Sequence, residues 1–499
     1  MYILLYTLYY ILLLLNGFAA THILLYSLAQ LHLCYFYVFK PKKLENIPIL
    51  ERDLPFITIQ LPIYNEKYVV ERLLNAIMAL DYPKNKLEIQ ILDDSTDETS
   101  DIIVEILKKY TKNDFDVQYL HRSNREGFKA GALAAGLIRA KGDFIAIFDA
   151  DFVPEPTFLR QATPYIYSDE NVAVVQARWA HLNRRENLLT RLQAMQLDVH
   201  FSIEQSGRSQ NGCFLQFNGT AGLWRKAAIH AAGGWQSDTL TEDLDLSYRA
   251  QLGGWRIVYV EHIAAPAELP TSILALKGQQ FRWTKGGAQC ARKLLLPVWR
   301  SAQPLNVKLH AAAHLLSSTL FIAIFVLLLT NHALNTLSHI TIKMPIYSLN
   351  FFIIGSIALF LVHYTANVHS QNYVTEAYSR RLFRFLCSYP LLLSISMGLS
   401  VHNNIGVWEG LLGRKSAFVR TPKRGATAQN SYGATRLPFS TYLEILFLFL
   451  NGAATYNGIC HQNYLLAFFV GCWTFGFGVV GIGSLMEYWQ KNKRKLMEN

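Results

Sequence analysis

The chain is short of charge. Only 17% of its 499 residues are Asp, Glu, Lys or Arg, where a soluble domain carries about 25%, which argues against a purely cytosolic protein. No Asp, Glu, Lys or Arg occurs between Met1 and Phe39, and the first basic cluster, Lys40, Lys42 and Lys43, follows that stretch instead of preceding it. A cleavable signal needs a basic start and a short apolar core, so a retained anchor is expected. Cysteine is sparse as well. The six residues Cys34, Cys213, Cys290, Cys387, Cys460 and Cys472 show no CxxC or zinc-ligand spacing, which leaves no sign of a disulfide framework. Acidic residues are outnumbered, 36 against 47 Lys and Arg, giving a formal net charge of +11. In a membrane chain such an excess reflects cytoplasmic loops, and no nucleic-acid partner is expected.

Apolar residues make up 51% of the chain and gather at its two ends. About 20 of them span a bilayer. One tilted helix near Gly17–Phe39 is expected, with a tight hairpin at Asn16–Gly17 left open as an alternative. Four later spans are expected near His310–Leu329, Pro345–Tyr364, Thr441–Tyr456 and Tyr464–Met486. Counting Phe383–Val401 as a further span would put Arg414, Lys415, Arg420, Lys423, Arg424 and the basic tail Lys491–Lys495 outside. That breaks the positive-inside rule twice. Residues 383–413 are therefore expected to lie at the cytoplasmic surface as an interfacial helix, broken around Pro390 and the polar run Ser400–Asn404. The domain plan is then an anchor at 1–43, a cytoplasmic domain at 44–305, a span pair at 306–365, the interfacial helix at 383–413, a cytoplasmic loop at 414–438, a second span pair at 439–490 and a basic tail at 491–499.

The middle region alternates short apolar strand candidates with helical patterns. Phe56–Leu61, Leu87–Leu92, Val117–Leu120 and Phe144–Phe148 are the strands; Val69–Leu80, Thr99–Tyr110 and Lys129–Ala140 are the helices. This order implies a parallel sheet in an open α/β domain. Ligands bind beyond the carboxyl ends of such strands, where Asp93-Asp94 and Asp149-Ala-Asp151 fall. Asp149 and Asp151 are hard-oxygen donors suited to a divalent metal that also takes diphosphate oxygens. Read alone, Asp149 and Asp151 also suit a solvated turn, and Asp93–Asp97 a helix cap. Thr241-Glu242-Asp243 and Gln279-Gln-Phe-Arg282-Trp283 are open to similar local readings.

Their order is more specific than any one of them. Leu61-Pro-Ile-Tyr-Asn-Glu66, Asp93-Asp94-Ser95, DxD, Thr-Glu-Asp and QxxRW together form the D,D,D,QxxRW pattern, joined by His121–Leu133, Gln176–Trp179, Phe217–Thr220 and Gly233–Gln236. The set resembles processive inverting synthases of glycosyltransferase family 2, and most of all the cellulose-synthase-like A and C enzymes and bacterial cellulose synthase, makers of glucomannan or β-1,4-glucan backbones. The resemblance covers about residues 50–300. It implies a glycosyltransferase-A-like, Rossmann-like domain inserted in a helical membrane bundle.

By that resemblance Asp93 and Asp94 contact the nucleotide, Lys129 reaches the diphosphate, and Asp149 and Asp151 hold nucleotide and Mg2+ or Mn2+. Asp243 is the general base, and Arg282 serves the diphosphate end. Gln279, Trp283 and Glu242 line the acceptor. Phe418-Val-Arg-Thr421-Pro-Lys423 resembles the gating loop of cellulose synthases at Phe418, Thr421 and Lys423, and departs from it at Arg420, where that family has Val.

The expected function is polymerisation of a β-linked, β-1,4 glucan or mannan/glucomannan from UDP-glucose or GDP-mannose, with export of the growing polysaccharide through a plasma or inner membrane. Nucleotide sugar, polysaccharide and membrane lipid are the expected partners. Alternatives are single-sugar transfer to a lipid acceptor and a non-catalytic polysaccharide export component.

Overall fold

The computed structural model describes residues 2–40, 53–110, 115–338, 348–370, 376–421, 423 and 437–498. Lys42, Lys43, Pro345 and Arg424, named above, lie outside the described residues.

A seven-stranded sheet forms the centre of the middle region. Its strands are β1 (Ile57–Ile63), β2 (Leu87–Asp93), β3 (Asp116–His121), β4 (Phe144–Ile147), β5 (Val172–His181), β6 (Gly222–Arg225) and β7 (Arg256–Ala267), in the spatial order β3-β2-β1-β4-β6-β5-β7. β1 pairs in parallel with β2 and β4, β2 with β3, and β5 with β7. The sheet is mixed instead of wholly parallel, because β6 runs antiparallel to both β4 and β5. That reversal brings the entry to β6, residues 218–221, to the carboxyl edge of β4, beside Asp149.

Both faces of the sheet are covered. Ile57, Ile59, Ile89 and Ile91 are buried on one side with Val70, Leu73 and Ile77 of the helix Val70–Met78. On the other, Ile145 and Ile147 pack with Leu133 and Leu137 of the helix Phe128–Arg139. β4 reads as a continuous apolar run, as strands buried on both faces do, whereas β1 and β2 carry the buried polar residues Thr58, Gln60, Glu88 and Gln90. The strand and helix expectations for residues 56–148 match these elements to within a few residues.

Five helices are long and apolar enough to cross a membrane among the described residues: Ile3–Phe39, Ser317–Leu334, Phe351–His369, Ser440–Cys460 and Ala467–Lys493. The first belongs to one continuous helix, Tyr2–Phe39, with no hairpin at Asn16–Gly17. Its 38 residues extend about 57 Å at 1.5 Å each, well beyond a bilayer core of about 30 Å. The stretch around 383–413 is two helices, Tyr378–Gly398 and Ser400–Leu411, meeting at 50°. Pro390 sits inside the first of them, and the break falls at Leu399.

Candidate active site

Three sheet ends and three later segments converge on one cavity. β2 ends at Asp93 and delivers Asp94; the turn after β4 delivers Asp149 and Asp151; the turn before β6 delivers Asn218 and Gly219. The helix Glu242–Leu252 begins at the cavity wall with Glu242 and Asp243. The helix Ile273–Arg300 carries Gln279, Arg282 and Trp283, and the segment after Leu411 brings Phe418, Arg420, Thr421 and Lys423.

Lys129 is the hub. Its ammonium lies 2.5 Å from Asp149 Oδ1, donates to the Gly219 carbonyl at 2.9 Å and is 4.0 Å from Glu242 Oε1. Burial acts to lower its pKa, but Asp149 and Glu242 outweigh it and the net shift is upward. Gly219 is a glycine for a spatial reason: a Cβ there would lie 2.9 Å from Asp243 Oδ2, at a φ of +82°. Burial, followed by the neighbouring Glu242 carboxylate, pushes Asp243 up to about 7, and Glu242 is raised by burial as well. A carboxylate with such a pKa suits proton abstraction near neutral pH.

The segment 418–423 closes the other side. Arg282 donates to the Val419 carbonyl at 2.8 Å and to Thr421 Oγ1 at 3.1 Å, and lies over the Phe418 ring at 4.5 Å. Lys423 lies 2.5 Å from Asp151 Oδ2 and donates to the Glu268 carbonyl at 3.2 Å. Each DxD carboxylate is thus matched by one lysine, and the two lysines come from distant parts of the chain. Trp179 lines the cavity with Trp283 and Gln279, braced edge-on by Phe152 at 5.3 Å.

All the candidate residues line this cavity except Asp93. Asp93 is fully buried behind it, accepting from Ser95 N at 2.9 Å, Ser100 Oγ at 2.6 Å and Tyr119 OH at 2.7 Å. Its oxygens are used in holding the loop in shape, which leaves none for a nucleotide. Asp94 does face the cavity, with Arg122 donating to its two oxygens at 2.7 and 2.5 Å.

Some cavity residues had no assigned role in the sequence. Arg125 stacks 3.4 Å above the Tyr64 ring at the cavity wall. Glu66 meets Arg420 at 2.5 Å, and burial pushes its carboxyl up to about 7 with Arg420 acting in the opposite sense. Asn218 is fixed by Gln205, which donates to its Oδ1 at 2.7 Å, and by His200 at 2.7 Å. His200 belongs to a π-helical turn, His200–Glu204, of the kind that recurs at functional sites.

The comparisons with known proteins fall on the same region. Residues 55–286 match the family described as "Glycosyltransferase like family 2". Glucomannan 4-beta-mannosyltransferase 2 of Arabidopsis thaliana is 43% identical over 253 residues, covering 50% of this chain and 47% of the relative. Glucomannan 4-beta-mannosyltransferase 1 of Oryza sativa subsp. japonica is 41% identical over 251 residues, 50% of this chain and 48% of the relative. The chain spans about half the length of the curated relatives it matches. Among solved structures, a mannosyltransferase from Pyrobaculum calidifontis, in complex with GDP-Man and Mn2+, aligns with a TM-score of 0.54 at 19% identity, covering 82% of this chain and 100% of that one. That likeness is one of fold.

Proposed function

We propose that this chain, which carries a glycosyltransferase family 2 domain at residues 55–286, is a membrane-embedded processive synthase that extends a β-linked mannan, glucan or glucomannan from a nucleotide sugar. The observation that carries the reading is the convergence of Lys129, Arg282 and Lys423 with Asp149, Asp151 and Asp243 in one cavity.

An acceptor hydroxyl attacking the anomeric carbon loses its proton to Asp243, whose raised pKa matches that task. The departing diphosphate gains negative charge, and Lys129, Arg282 and Lys423 are positioned to stabilise it electrostatically. Asp149 and Asp151 suit a divalent ion: two hard-oxygen ligands leave room for diphosphate oxygens and water. No group of three or more His, Cys, Asp or Glu is arranged to hold a metal among the described residues, so such an ion would depend on the donor for further ligands. When bound, the ion neutralises leaving-group charge. Trp283 and Trp179 offer flat faces for the terminal sugar of the acceptor.

The catalytic domain is read as cytoplasmic, with the bent helix pair over residues 383–413 at the membrane surface. The similarity to glucomannan mannosyltransferases favours GDP-mannose over UDP-glucose as the principal donor. The test is to supply purified membranes with GDP-mannose, UDP-glucose or both, and digest the product with linkage-specific hydrolases. A polymer cleaved by β-1,4-mannanase is expected, and its synthesis should stop in excess EDTA. A product one sugar long that extracts into organic solvent would instead assign the chain to glycolipid synthesis.

A further inference from the structure

Arg420 stands where the gating loops that this segment resembles have Val, and a guanidinium buried in a cavity needs a counter-charge. Glu66 supplies it. The two side chains meet at 2.5 Å with only 12% and 13% of their surfaces exposed. Both ends of this contact are anchored. Glu66 opens the helix Val70–Met78, its carbonyl accepting from the amides of Val69 and Val70 at 3.0 Å. Its neighbour Asn65 is strapped to the next loop: its amide donates to Ser95 Oγ at 2.9 Å, and its Oδ1 accepts from the Thr96 amide at 2.8 Å. On the other side, the helix Ser400–Leu411 that leads into the segment is tied to the QxxRW helix by Lys285 and Glu409 at 2.6 Å.

We propose that Glu66 is the seat of the 418–423 segment: a positioning residue that, through Arg420, holds Thr421 and Lys423 over the donor end of the cavity. The proposal rests on the nucleotide-sugar reading of the site. Lys423 is paired with Asp151, one of the carboxylates expected to engage when donor and metal bind, so its contact must change on binding. Arg420–Glu66 makes no direct contact with either DxD carboxylate and is expected to persist through that change. Loops with Val at this position lack the ionic contact that ties this segment to Glu66.

The test uses the full-length protein in detergent or nanodiscs, with Glu66→Gln, Arg420→Val and the charge swap Glu66→Arg/Arg420→Glu. Phe418 is packed against Arg282, so chymotrypsin cleavage after it reports unseating without any turnover. Both single variants are expected to be cleaved at least tenfold faster than wild type, and, because the stranded charge reaches water as the segment unseats, to keep its unfolding temperature. Their donor KM is expected to rise about tenfold, the loss of one charge-assisted contact, with kcat changed less than about threefold. Restoration of protection and KM by the swap supports the seat. Wild-type cleavage rates in both single variants would overturn it, as would a fall in kcat at unchanged donor KM. A wild-type chain that turns over no nucleotide sugar would defeat the activity reading, while the cleavage comparison would still decide whether Glu66 seats the segment.

Discussion

The Lys423 ammonium lies 2.5 Å from Oδ2 of Asp151, joining a segment that follows the bent helix pair to the turn after β4. The pair is largely buried, 13% and 9% of the side chains being exposed. In the donor complex this ammonium is expected to turn to the diphosphate. Lys423→Met should weaken binding of the nucleoside diphosphate by roughly 10- to 100-fold, the range for losing one hydrogen bond to a charged group. Titration calorimetry on the purified protein checks this, and unchanged affinity would place Lys423 away from the diphosphate.

Asp243 is expected to set the pH dependence. Its carboxyl is pushed up to about 7 by burial and then by Glu242. Only the deprotonated form accepts a proton, so kcat/KM should climb about tenfold per pH unit below 7 and level off above it. Asp243→Asn should lower kcat by roughly 10²–10⁴-fold and flatten that limb. A wild-type profile already flat from pH 5 upward would remove Asp243 from the role of base.

The fold of residues 56–148 was legible because short strands alternate regularly with helices that have a clear apolar face. β5 and β7 lack that regular alternation, and Arg178 and His181 in the first and Glu261 and His262 in the second break up their patterns. Asp93 and Asp94 look alike in sequence, yet successive side chains of a strand point to opposite faces. One closes on Ser100 and Tyr119, and the other opens on the cavity. Glu66 and Arg420 are the clearest case of an illegible contact. A pair so far apart in the chain leaves no periodicity or spacing to read, and only the fold brings the two together.

Lys277 and Glu444 form a buried ion pair, 2.8 Å apart and 1% and 0% exposed, between the QxxRW helix and Ser440–Cys460. Thr441 Oγ1 and Ser484 Oγ accept from the same ammonium at 3.0 and 3.4 Å. Removing one partner strands a buried charge, so Lys277→Met alone should cost about 3–5 kcal/mol, whereas Lys277→Met/Glu444→Leu should recover most of it. Unfolding in detergent measures both. Equal losses in the single and double variants would show that the pair contributes through shape instead of charge.

The helices Tyr378–Gly398 and Tyr464–Phe477 cross backbone to backbone at Gly398 and Gly476. A Cβ added at Gly476 would fall on the Ser394 carbonyl oxygen, and one at Gly398 on the Gly476 carbonyl, both well inside van der Waals contact with backbone that cannot swing aside. Small residues permit such close approach of helix backbones. The crossing also bears on the site, because Gly398 ends the helix just before the 50° break, and Ser400–Leu411 beyond it leads to the 418–423 segment. Gly476→Ala should therefore force the helices apart, at about 1–3 kcal/mol for overpacking, and shift the root of that segment. The expected signature is a lowered unfolding temperature together with faster chymotrypsin cleavage after Phe418. Gly478→Ala serves as the control, since a Cβ there meets only Leu448 Cδ1 at an ordinary 3.5 Å. If Gly476→Ala lowers stability without altering cleavage, the crossing holds the bundle but does not set the position of the segment. If it changes neither, the close contact is not present in the folded protein.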